Sequence, residues 1–92
     1  MDNPRSATLR ISHASSHAYE LLYTIVDQRG GGTQSYTIQG QEQLQVLLTQ
    51  LGLTTAEIAL ISTRVEARIG YVLDLSHLDR ETAEQVLRSF SP

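Results

Sequence analysis

The chain contains no cysteine and no lysine. Without cysteine it has no disulfide framework, no thiolate zinc site and no cysteine nucleophile. Without lysine, all seven basic residues are arginines, and ten acidic residues bring the net charge to -3. A protein that grips nucleic acid by neutralising phosphates carries a basic stripe or patch. The acidic balance therefore argues against a nucleic-acid partner, and a charge this small gives no ground for a DNA mimic. Arginine-only usage is explained as well by a GC-rich coding sequence. Apolar runs are too short to span a bilayer, so no membrane association is expected. Residues 1–6 are polar and lack the apolar stretch of a secretory signal, which points to a cytoplasmic location.

What is present is one clear change of hydrophobic period near Gly40. Before it, apolar residues alternate as in strands: Leu9 and Ile11, then Tyr19, Leu21, Tyr23 and Ile25, then Tyr36 and Ile38. After it they fall at helical spacing: Leu44, Leu47, Leu48 and Leu51. The chain has 92 residues, 40% of them apolar, enough for a single domain over 1–92 with 1–6 as a frayed tail. A domain of this size buries about 60–65% of its unfolded surface, so its stability is modest and a partner covering apolar surface would add to it.

The alternation predicts strands over 7–12, 19–27 and 33–39. Small polar residues over 13–18 form a turn or loop, and the glycine run Gly30, Gly31, Gly32 supplies a hairpin between the second and third strands. Gly40 can cap a first helix over 41–51, with Glu42 favourable to its dipole and Gly52 as its C′ residue. Thr54 and Glu57 have capping-box spacing at the start of a second helix. Ile58, Ile61, Val65 and Ile69 continue a helical stripe, and Gly70 suits a C′ position, so this helix is expected to end near residue 68. A strand over 71–75 follows. The competing reading is a shorter helix and a longer strand, because residues 65–75 also alternate. Asp79 caps a third helix, in which Ala83, Val86, Leu87 and Phe90 make one buried stripe and Glu84 pairs with Arg88. The expected fold is α+β: a small antiparallel sheet of three N-terminal strands and one C-terminal strand, covered on one face by about three helices, in the order βββααβα.

The first and third strands have polar far sides: Thr8, Arg10 and Ser12, then Ser35, Thr37 and Gln39. The second carries Glu20, Leu22, Thr24 and Val26 there, and so is apolar on both sides. If the helices cover one face, Leu22 and Val26 lie near the centre of the other, inside a polar rim. The competing view is that both are ordinary exposed apolar residues, or that a helix crosses to that side.

Signals for chemistry are weak. His13 and His17 have the four-residue spacing of paired metal ligands, with His77 as a third, but Ala14, Ser15 and Ser16 between them are poor helix formers, and no metal or other cofactor is expected. Asp74, His77 and Asp79 form the densest titratable cluster, and Asp79 is more simply a cap. The glycines at 30–32 lie between strands and lack the lysine of a phosphate loop. No nucleophile elbow surrounds the serines. The sequence therefore points to a small non-enzymatic interaction module: a regulator, adaptor or phage-type inhibitor docking on a larger protein, or a homodimer formed through the sheet face. Its expected contact residues are Leu22, Thr24, Val26, Arg10 and Thr37, with Arg29, Gly30, Gly31 and Gly32 at the hairpin tip. The alternatives are a small-ligand or nucleic-acid binding domain using Arg5, Arg10, Arg29 and the tyrosines, and an accessory enzyme subunit.

Overall fold

The structure, a computed structural model, describes residues 6–27 and 30–90. These form four strands and three helices: β1 (Ser6–Ser15), β2 (Ala18–Asp27), β3 (Gly30–Gln39), α1 (Gln41–Gln50), α2 (Thr55–Glu66), β4 (Tyr71–Asp74) and α3 (Arg80–Phe90). The strands make one antiparallel sheet in the order β3-β2-β1-β4, the expected α+β arrangement. The inner face carries Leu9, Ile11, Leu21, Tyr23 and Ile38. These pack against Leu44, Leu47 and Leu48 of α1, Ile61 and Val65 of α2, and Ala83 and Leu87 of α3 in one buried cluster.

Local chemistry sets most boundaries. Gly40, at φ 88°, turns the chain from β3 into α1, and its N–H donates to the His17 carbonyl at 2.8 Å. The Thr54 hydroxyl accepts from the Glu57 N–H, and the Glu57 carboxylate accepts from the Thr54 N–H, a complete capping box. The Asp79 carboxylate accepts from the N–H groups of Glu81 and Thr82 at the start of α3. Val86 and Phe90 flank the buried Ala83 and Leu87 as the stripe requires.

Four expectations are corrected. Residues 13–15 are strand rather than loop: β1 continues, through an irregularity between His13 and Ser15, because β2 offers it a full-length partner. Gly30, Gly31 and Gly32 are not a hairpin tip but the start of β3, paired with Asp27, Val26 and Ile25. A Cβ on Gly31 would overlap the Ile25 carbonyl oxygen, so close backbone approach, not turn geometry, requires glycine there. α2 ends at Glu66, and its left-handed C′ residue is Arg68 at φ 63°, while Gly70, also at positive φ (81°), lies two residues beyond it. Glu84 pairs with Arg80, its carboxylate 2.9 Å from Nε, while Arg88 donates to the Glu84 backbone carbonyl.

Candidate functional site

With the helices on one face, no described element covers the other face of the sheet. Register places its residues in transverse rows. Ser35, Leu22, Arg10 and Val72 form one; Thr33, Thr24, Thr8 and Asp74 form the next; Thr37, Glu20 and Ser12 lie on the other side. Leu22 is half-buried among these neighbours, as expected of a central position; Val26, expected there too, instead lies at the end of the face beside Ser6 and Gly31 and is 49% exposed, and Val72 is 59% exposed. The Thr24 and Thr33 hydroxyls bond to each other at 3.2 Å. The face carries charges of both signs: Arg10, Glu20 and Asp74. The Ser76 hydroxyl and N–H both donate to Asp74, which holds its carboxyl below the usual aspartate range and keeps it ionised.

Of the expected contact residues, Leu22, Thr24, Val26, Arg10 and Thr37 thus share one surface. Gly30, Gly31 and Gly32 are exposed strand residues at the β2–β3 end. Arg29 and Arg5 lie outside the described residues. Of the arginine-plus-tyrosine set, Tyr19, Tyr23 and Tyr36 are buried on the inner face, opposite Arg10, whereas Tyr71 lines a groove together with Arg10. The histidines do not converge either. Ser76 binds the Ala7 N–H at one end of β1, whereas His13 lies near the other end, about 20 Å away at the rise of a strand. Among the described residues no group of three His, Cys, Asp or Glu could hold a metal ion.

The closest titratable grouping joins β1, β2 and α2. The Tyr19 hydroxyl donates to Glu66 Oε1 at 2.8 Å. His13 Nε2 lies 3.7 Å from Glu66 Oε2, and the His13 ring sits 5.0 Å from that of Tyr19. Burial, followed by the carboxylate beside it, pushes the Tyr19 phenol up to about 12. At neutral pH it is a fixed donor, and the grouping ties the C-terminal end of α2 to the sheet.

Sequence reasoning missed a second feature. A groove at the start of β4 is lined by Arg10, Arg64, Ile69, Gly70, Tyr71 and Val72. Ile69 is 68% exposed although its spacing had placed it on the buried stripe of α2. The available signal was in β4, which alternates Tyr71 and Leu73 against Val72 and so, like β2, carries apolar residues on both sides.

No family model, curated protein or solved structure matches this chain. Among the described residues, no helix is long and apolar enough to cross a membrane.

Proposed function

We propose that this chain is a small non-enzymatic protein-interaction module that docks through the open face of its sheet. The observation that carries the reading is half-buried Leu22, in a row with Ser35, Arg10 and Val72 on a face that no described element covers, with exposed Val26 towards the β2–β3 end of that face and threonine and serine hydroxyls and charges of both signs around them. An apolar centre inside a polar rim is the anatomy of a dissociable protein interface. A second copy of the chain is the favoured occupant. A two-fold axis through the face can bring Arg10 of one copy towards Glu20 or Asp74 of the other, so the face is self-complementary in charge.

Sedimentation of the wild type and of Leu22→Asp and Val26→Asp tests the reading, with circular dichroism checking that each variant folds. The wild type associates in a concentration-dependent way, and both variants are monomers. A wild type that stays monomeric at the highest attainable concentration sinks the self-association reading. Folded variants that associate as the wild type does sink the sheet face as the surface.

A further inference from the structure

The groove beside β4 combines three properties found together nowhere else among the described residues. The first is an unfilled sheet edge. The Leu75 N–H donates to the Ala7 carbonyl, so alternation along the β1–β4 ladder directs Tyr71 and Leu73 towards β1 and leaves the N–H and C=O groups of Val72 and Asp74 facing outward. The second is positive charge. Arg10 and Arg64 line the groove from the sheet and from α2, and neither has a carboxylate partner among the described residues. The third is apolar surface: Ile69 and Val72 are more than half exposed on the same groove.

The segment leading into the edge is also held in a costly conformation. Arg68 is the one described non-glycine residue with positive φ, a region that side-chain-bearing residues rarely adopt. This turn sets Ile69 out in solvent instead of against the core. Left-handed backbone at a non-glycine residue persists where the surroundings hold it, and such positions cluster at binding sites.

We infer that the edge of β4 accepts an extended, acidic and apolar segment of a partner protein as a fifth strand. Main-chain bonds form to the outward groups of Val72 and Asp74, carboxylates of the segment pair with Arg10 and Arg64, and its apolar side chains cover Ile69 and Val72. In strand addition the main chain supplies affinity, and alternate side chains supply selectivity. Arginines with no carboxylate partner among the described residues flank the edge and select for carboxylates and against cationic segments. Asp74 at the far end disfavours acid there and fixes where along the edge the carboxylates sit. The site lies at the β4 margin of the open face and shares Arg10 and Val72 with it, whereas Leu22 lies on β2, beyond β1.

The test uses a capped peptide of repeated Val-Val-Asp-Asp, which as a strand carries both residue types on both faces, titrated into the isotopically labelled full chain, with a peptide of equal length and pattern carrying lysine for aspartate as control. The acidic peptide shifts the amides of residues 69–74 and slows hydrogen exchange at Val72, whose N–H has no partner among the described residues. The lysine peptide leaves these signals in place, and Arg64→Glu or Arg10→Glu weakens binding about tenfold. The inference is overturned if neither peptide shifts residues 69–74, if both bind equally, if the arginine variants bind as the wild type does, or if shifts occur without added protection at Val72. Repeating the titration in Val26→Asp separates the two surfaces, because Val26 pairs with Ser6 and Gly31 and lies away from Arg10. Peptide binding persists there even when self-association is lost, and loss of peptide binding in a folded Val26→Asp chain also overturns the inference.

Discussion

α1 and α2 leave their last turns with the same hydrogen bonds and opposite side-chain chemistry. At the end of α1, Gly52 N–H donates to Thr49 and Leu53 N–H to Leu48. At the end of α2, Arg68 N–H donates to Val65 and Ile69 N–H to Arg64. Both are Schellman motifs with a left-handed C′ residue, Gly52 at φ 93° and Arg68 at φ 63°. In α1 the left-handed residue is glycine, the next residue packs against the core, and the hydrogen-bonded carbonyl belongs to the buried Leu48. In α2 the corresponding residues are arginine, an exposed isoleucine and the exposed Arg64. One exit is stabilised by its own packing. The other gains nothing from its following residue and instead leaves apolar and cationic groups at the surface. The contrast teaches that an identical backbone motif can serve stability in one place and presentation in another.

The largest break in the comparison comes from truncating the two equivalent side chains. Leu48→Ala removes a fully buried side chain beneath the sheet and should cost about 2–5 kcal/mol in denaturant unfolding. Arg64→Ala removes an exposed one and should stay within about 0.5 kcal/mol. A large loss at Arg64 would mean that the arginine packs as part of the fold, and the presentation reading of that exit would fail.

α2 is anchored differently, through its last residue. The Glu66 carboxylate accepts from the Tyr19 hydroxyl, and His13 approaches its other oxygen. Tyr19→Phe should therefore cost about 1 kcal/mol, a typical net value for one hydrogen bond, its charged acceptor being half exposed. The phenol also sets an alkaline limit. Its folded pKa is raised to about 12 from the ordinary 10, chiefly by burial. The unfolded chain therefore loses this proton first. The contribution is complete below pH 10 and is lost as pH rises through 12. Unfolding of the wild type should steepen over that window and that of Tyr19→Phe should do so less; equal alkaline limbs would show that the phenol is not what binds α2 to the sheet.

The same contrast explains what could be read in the sequence. Gly40, Gly52, the Thr54–Glu57 box and Asp79 act within a few residues of themselves, so their spacing revealed every helix start and the end of α1. The two-sided pattern of β2 showed which face would have an apolar centre. The end of α2 was not legible, because arginine has no tendency towards the left-handed region and Gly70, two residues on, is the residue that signals it. The continuation of β1 to Ser15 depends on a partner strand and not on the turn-like composition of residues 13–15. The groove is less legible still. It joins Arg10 to Arg64 through the β1–β4 register, and neither residue has a local signal that reports the other.

The smallest effect is the most direct probe of the two exits: exchanging what occupies the left-handed position. A side chain there costs about 1–2 kcal/mol relative to glycine. Gly52→Arg should therefore destabilise the chain by about 1 kcal/mol, since space around Gly52 is open and only the backbone conformation opposes the side chain. Arg68→Gly should stabilise it, by less, because glycine also widens the freedom of the unfolded chain. Paired thermal unfolding of the two variants reads both signs. If Arg68→Gly raises the melting temperature, the natural arginine is held at a thermodynamic cost that the fold itself does not require. If it lowers the melting temperature, the Arg68 side chain contributes within the molecule, and the two exits differ less than their exposed residues indicate.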